Sequence, residues 1–312
     1  MRNHLLVVPS VICANTVAQR VAALIPGAVA IPHPHGCAQV GDDVVLTEQM
    51  LAKTVANPNV GAALVVGLGC ETCQASQVAD LARALAPGKP IESYFIQEVG
   101  GSIKAIAAGV ERGKQLMAEM AAQQRETMSL DRLVVGLYCG EPDSSTTVAS
   151  LPVLENVAER LLSAGGTVIL SKTVELASLR ARAARLGFAE QPDRPGLYVM
   201  ATPAHATVAL SAMVAGGAQV CLFATGGGSP VGHAICPVIK VCGNAETIRR
   251  MEDNIDFSTV ALAVGDQGTA STTALLGRDL LALLLDVCNG QLTSAEIIGH
   301  QEFAIHRIGP TV

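Results

Sequence analysis

Five segments of this 312-residue chain gather side chains that could hold a cation, move a proton or bind an anion. Pro32-His33-Pro34-His35-Gly36-Cys37 places two imidazoles and a thiol within five residues, donor types that suit a borderline-soft divalent ion. A proline-stiffened loop whose histidines only form hydrogen bonds is the plain alternative. Leu68-Gly69-Cys70-Glu71-Thr72-Cys73 contains a single Cys-x-x-Cys, with no second one to complete a four-thiolate zinc site. Cys70 and Glu71 are expected between a strand end and a helix, whose N-terminus favours negative charge. Cys70 and Cys73 could also serve simply as small buried hydrophobes. Gln97 with Gly100-Gly101 forms either a plain turn or a place where the backbone approaches an anion. Cys139-Gly140-Glu141-Pro142-Asp143-Ser144-Ser145-Thr146-Thr147 offers a thiol, two carboxylates and four hydroxyls, with Asp143 or Ser144 placed to cap a helix.

The fifth segment is Thr225-Gly226-Gly227-Gly228-Ser229-Pro230-Val231-Gly232-His233, where three successive glycines would leave backbone N–H groups to line a carboxylate or phosphate. No Gly-Lys-Ser/Thr follows, and Val231 stands where a dinucleotide fingerprint needs its third glycine, so nucleotide binding is not expected. Lys240 and Asn244 follow near the same edge, with a surface charge as the alternative reading of Lys240. No Gly-x-Ser-x-Gly occurs, and a serine hydrolase is not expected.

Runs rich in Val, Ile and Leu must position these segments. They predict strands over 5–8, 28–31, 62–67, 91–95, 133–137, 167–170, 197–200, 219–223 and 238–241. Apolar residues at helical spacing predict helices over 17–24, 78–85, 103–120, 153–162, 176–186 and 206–214. The alternation predicts an α/β fold of two mainly parallel-sheet units, covering 1–125 and 126–312, joined at the polar segment 121–131. Residues 245–312 read as a mostly helical C-terminal segment with a loop at Gly265–Thr273, placed to pack across both units. In open parallel sheets ligands sit outside the carboxyl ends of the strands, and each of the five segments follows a strand run.

Half of the residues are hydrophobic and 15% are charged, the composition of a globular chain. The net charge of −6 and the lack of Lys/Arg clusters exclude a nucleic-acid footprint. No run reaches the ~18 apolar residues of a bilayer span. Pro9 interrupts the only stretch resembling a signal, and the nine scattered cysteines read as reduced thiols, so a cytoplasmic protein is expected.

Taken in order, the motifs resemble the large catalytic region of the altronate/galactarate dehydratase family, which includes the large subunit of sulfolactate sulfo-lyase. The resemblance rests on Val8-Pro9-Ser10-Val11-Ile12-Cys13-Ala14-Asn15, His35-Gly36-Cys37, Gly69-Cys70-Glu71 and Gln97 with Gly100-Gly101. It continues through Cys139-Gly140 with Asp143, Ala215-Gly216-Gly217-Ala218-Gln219, Thr225–Pro230, Pro237–Asn244 and Glu302-Phe303. One departure stands out: Glu141-Pro142 and Ser144-Ser145-Thr146-Thr147 flank Asp143 where the family has a Gly-Gly-Ser-Asp-Gly type of stretch, which leaves the substrate open.

The resemblance implies a lyase that removes water, or another β-leaving group, from a 2-hydroxy acid such as a sugar acid, giving a 2-keto-3-deoxy acid. That chemistry needs a base, an acid and positive charge for the growing enediolate. Expected acid/base groups are Glu71, Asp143 and His233. The expected metal is a divalent ion, Fe²⁺ or a similar one, at His35, Cys37, Cys70 and Cys139, near Glu71 and Asp143. Expected substrate contacts are Gln97, Gly100, Gly101, Thr225, Gly226, Gly227, Gly228, Lys240 and Asn244. A separate small subunit of about one hundred residues is an expected partner, as is a second copy of the chain in a homo-oligomer. Two other readings are a noncatalytic sugar-acid-binding or regulatory subunit, and a thiol redox protein using Cys70 and Cys73.

Overall fold

The computed structural model describes residues 1–140, 143–263 and 270–308. The expected features at Glu141-Pro142 and at 265–269 of the Gly-rich loop lie outside the described residues. The chain forms two compact units: Arg2–Glu126 with the chain from Glu302, and Met1 with Thr127–Gln301.

The N-terminal unit runs β1 (His4–Pro9), α1 (Asn15–Ala23), β2 (Ala28–Ala30), α2 (Asp42–Ala56), β3 (Val60–Gly67), α3 (Ala75–Leu85), β4 (Ile91–Phe95) and α4 (Ser102–Ala121). Its four strands are all parallel, in the order β2-β1-β3-β4. Leu5–Val8 and Ala62–Val66 are fully buried because helices cover both faces, which explains their unbroken apolar runs. Each buried Leu or Val contributes about 1.5–3 kcal/mol relative to exposure. The chain leaves β1 for β2 on one side and β3 on the other, so a topological switch point lies between the carboxyl ends of β1 and β3.

The C-terminal unit runs β5 (Val134–Cys139), a π-helical turn at Thr146–Ser150 that continues into α5 (Leu151–Ser163), β6 (Thr167–Ser171), α6 (Ala177–Arg180), β7 (Ala184–Leu186), β8 (Leu197–Met200), α7 (Ala206–Ala215), β9 (Val220–Ala224), β10 (Val238–Cys242), α8 (Ala245–Arg250), β11 (Phe257–Ser258), α9 (Val260–Ala263), α10 (Ala270–Asn289) and α11 (Ser294–Ile298). Seven parallel strands lie in the order β11-β10-β9-β5-β6-β8-β7, with the switch point between β5 and β9. Leu280, Leu284 and Val287 of α10 join Leu154, Val157 and Leu161 of α5 in one core. No described helix is long and apolar enough to cross a membrane.

Three expectations need correction. The helix expected over 176–186 stops at Arg180, and 184–186 instead pairs with β8 as an edge strand; available sheet partners override the local periodicity. Helix α2 was not legible because its buried face includes Asp43, Thr47 and Thr54 beside Met50, Leu51 and Val55, which breaks the apolar stripe. Ala270–Thr273, expected as loop, opens α10, and residues 301–308 of the segment expected to be mostly helical carry no helix.

Helix α4 sits close to its neighbours because Gly109 has no side chain. A Cβ there would fall 2.4 Å from the Tyr94 hydroxyl and 2.7 Å from Val21 Cγ2. That hydroxyl already donates to the Ala105 carbonyl at 2.9 Å. Gly109→Val is therefore expected to lower stability by about 1–3 kcal/mol through overpacking, read as an earlier urea midpoint; an unchanged midpoint would contradict this close approach.

Candidate active site

At the β5/β9 switch point, a cleft of about 710 Å³ opens at the carboxyl ends of the strands, with Tyr138, Asp143, Phe223, Gly226, Gly227 and Asn244 in its lining. Asp143 and the glycine loop interlock there. An added Cβ on Gly226 would lie 2.2 Å from the Asp143 carboxyl carbon, so only glycine lets the carboxylate rest on that backbone. Asp143 accepts hydrogen bonds from the Thr146 N–H at 2.6 Å and the Ser145 hydroxyl at 2.8 Å. Partial burial pushes this carboxyl upward, but Thr146, Ser145 and the Asn244 amide together outweigh it and hold Asp143 below the usual aspartate range. It is a carboxylate at neutral pH.

The loop's N–H groups are not all available, contrary to the sequence expectation. Those of Gly228 and Ser229 both donate to Thr225 Oγ1 at 3.0 Å, so Thr225 braces the loop from within. The N–H groups of Gly226 and Gly227 have no acceptor among the described residues. Asn244 likewise turns inward: its side-chain oxygen caps α8 by accepting from Glu246 and Thr247 N–H. Thr247 fastens the loop by donating to the Gly226 carbonyl at 2.5 Å. Beside Asp143, Thr146 opens a π-helical turn, a feature frequent at functional sites, and is itself buried.

Three expected groups lie behind this lining. Lys240 is not a surface charge: it is fully buried on β10, in register with Phe223, and its ammonium lies 5.6 Å from that ring's centroid and 3.5 Å from the Pro230 carbonyl. Phe223 in turn meets Tyr138 edge-to-face at 4.7 Å. His233 is buried, its Nδ1 accepting from Ile235 N–H, and does not line the cleft. Cys139 is also buried and outside the lining; burial, with Glu175 and Asp143 adding, pushes its thiol up to about 11.

The second cluster lies within the N-terminal unit, at its own switch point. Ser10, one residue past β1, donates its hydroxyl to Glu71 Oε1 at 3.0 Å, and Gly69 N–H donates to Glu71 Oε2 at 2.5 Å. Both residues are buried, so Glu71 is pinned at each oxygen. Gly36 has φ +99°, and a Cβ there would sit 2.1 Å from the Ser10 carbonyl oxygen; its own carbonyl accepts from Thr72 and Cys73 N–H. The His33–Cys37 and Gly69–Cys73 loops are thus laced together. Ser10 was missed as a site residue, although its position directly after a strand was the available signal.

The imidazoles of this cluster are neutral. His33 is lowered to about 4, first by burial and then by His35, against the opposing pull of the Pro9 carbonyl 2.7 Å from its Nε2. His35 is also lowered, chiefly by burial. Cys37 and Cys70 are exposed, with the Gln97 amide 3.6 Å from Cys70 Sγ. The N–H groups of Gly100 and Gly101 are spent on the Gln97 and Ile96 carbonyls, so this pair closes a turn. Cys73 is buried, and burial with Glu48 and Glu71 pushes its thiol far up, the reverse of what a redox thiolate needs. Among the described residues no three His, Cys, Asp or Glu side chains come together to hold a metal ion. The donor types at His35, Cys37 and Cys70 fit a borderline-soft ion, while Cys139 lies buried in the other unit.

Both units match models of a known protein family. Residues 1–121 match the family model described as D-galactarate dehydratase/altronate hydrolase, second domain, and residues 130–185 and 183–311 match D-galactarate/altronate dehydratase, C-terminal. The chain is 28% identical to (2R)-sulfolactate sulfo-lyase subunit beta of Chromohalobacter salexigens, over 99% of the chain and 94% of that protein. It is 26% identical to the altronate dehydratase of Escherichia coli and 25% to that of Bacillus subtilis, in each case over all of the chain and 76% of the relative. Carrying both of these domains, the chain belongs to the D-galactarate/altronate dehydratase family.

Proposed function

We propose that this protein is a hydro-lyase that removes water from a sugar acid or a related 2-hydroxy acid to give a 2-keto-3-deoxy acid. The observation that carries the reading is the β5/β9 cleft, whose lining joins an ionised carboxylate, Asp143, to two N–H groups, on Gly226 and Gly227, that have no acceptor among the described residues. Water is proposed over sulfite as the leaving group because the relatives include altronate and galactarate dehydratases beside a sulfo-lyase subunit.

In this reading the Gly226 and Gly227 N–H groups hold the substrate carboxylate, where negative charge grows as the α-proton leaves. Asp143 takes that proton. Its lowered pKa keeps it ready as a base across the neutral range but weakens its pull, so stabilisation of the enediolate must carry the larger share of the barrier. Once protonated, Asp143 is the acid that returns the proton to the leaving hydroxyl, and the enol then tautomerises to the keto acid. A divalent ion, Fe²⁺ or a similar one, is proposed as cofactor, with His35, Cys37 and Cys70 of the N-terminal unit as its candidate donors; when bound it would supply positive charge. The proton and anion steps rest on the chain's own groups. Glu71, pinned by Ser10 and Gly69, fixes the loop that carries Cys70 in the N-terminal unit.

A cytoplasmic setting is proposed from the nine free cysteines. A separate small subunit is proposed as a partner, supported by the relative named as a subunit beta.

With a panel of sugar acids and added Fe²⁺, the wild-type protein, supplied with any small partner, is expected to form 2-keto acid. Asp143→Asn should lower kcat by about 10²–10⁴-fold, and Gly226→Ala, which drives a methyl into the Asp143 carboxyl, should do comparable damage. Full activity in Asp143→Asn would rule out this base. Native-state alkylation at pH 8 is expected to modify the exposed Cys37 and Cys70 and spare the buried Cys73 and Cys139; rapid labelling of Cys73 would instead revive the thiol-redox reading.

A further inference from the structure

A second cleft lies along the same sheet of the C-terminal unit, at the carboxyl ends of β6, β8 and β7. It measures about 290 Å³, and its lining includes Lys172, Arg180, Arg185, Val199 and Met200. It shares no lining residue with the Asp143 cleft. Three cations border it and no carboxylate does.

The partners of those cations matter more than their number. One Arg180 terminal nitrogen donates to the Lys172 and Val174 carbonyls at 2.9 and 3.1 Å, which fixes the guanidinium without neutralising it. Neither the Lys172 ammonium nor the Arg185 guanidinium has an ion pair or hydrogen bond among the described residues. Some other described cations are paired with carboxylates, as in Arg182–Glu159, Arg249–Glu246 and Arg250–Glu246, and others such as Arg20 and Lys114 stand singly; at this cleft three cations share one concavity. Like charges gathered around a small concavity repel one another, and a chain with net charge −6 has carboxylates enough to neutralise them. A bound anion would relieve the repulsion, and the carboxyl edge of a parallel sheet is where such folds place ligands.

We infer that this cleft binds a small dianionic oxyanion, a phosphate or a dicarboxylate, with Arg180 as the fixed anchor and Lys172 and Arg185 as the closing charges. Arginine's planar fork matches the oxygens of both groups. The volume falls just below the ~300–1,000 Å³ of sites for drug-sized ligands, which suits a small acid and not a nucleotide. Val199 and Met200 give the floor an apolar side against which a short carbon chain can lie.

Calorimetric titration of the full-length protein in low-salt buffer, with inorganic phosphate and separately with succinate, tests this. Saturable binding of at least one probe is expected, weakened about tenfold or more in Lys172→Gln/Arg185→Gln, with unchanged circular dichroism and unchanged lyase activity. Binding by phosphate alone would point to a phosphate ligand, and binding by succinate alone or by both to a carboxylate. No saturable binding, equal affinity in the variant, or an equal response to chloride at matched ionic strength would overturn the assignment.

Discussion

The contact of the Asp143 carboxylate with the bare Cα of Gly226 is the constraint around which the C-terminal unit's cleft is built. A parallel sheet whose chain begins at β5 and later returns beside it as β9 brings two loops to one edge. They can interlock only if one presents no side chain, and Gly226 meets that condition. Thr225, Thr247 and Asn244 then hold the loop's shape with hydrogen bonds inside the site, while the Gly226 and Gly227 N–H groups meet no acceptor among the described residues. Removing the methylene-free surface at Gly226 would thus disturb the carboxylate, the loop and the α8 cap together.

The same economy governs the N-terminal unit. Ser10 and Glu71, at the ends of β1 and β3, are buried polar groups that satisfy each other at the switch point, and Gly36 lets a neighbouring loop pass within contact distance of Ser10. Buried polar groups cost free energy unless bonded, so this network fixes the loops carrying His35, Cys37 and Cys70 in one arrangement. Neutral imidazoles at His33 and His35 follow from their burial.

Strand positions were legible because a strand covered on both faces must be continuously apolar, as Ala62–Val66 and Val220–Phe223 are. Helix α2 was not, because its inward face includes threonines and an aspartate. Sequence alone located the loops at the strand ends that line the candidate site, since strand ends can be counted; it did not show which polar atoms in them are already committed. Gly228, Gly100 and Gly101 look alike in sequence to Gly226 and Gly227, yet their N–H groups are spent on Thr225, Gln97 and Ile96. Lys240 shows the same limit: a lysine in an otherwise apolar strand reads as an edge charge, whereas its registry with Phe223 places it beneath an aromatic ring. The basic cleft at Lys172, Arg180 and Arg185 was invisible in sequence, because its members come from a strand end, a short helix and an edge strand hidden within a helical pattern.

The most direct test of the account is a crystal structure of the Asp143→Asn protein with a bound 2-hydroxy acid. The account predicts the acid's carboxylate on the Gly226 and Gly227 N–H groups, at about 3 Å, with the carbon next to it facing residue 143. A ligand bound elsewhere, or one that turns its carboxylate away from that loop, would contradict it.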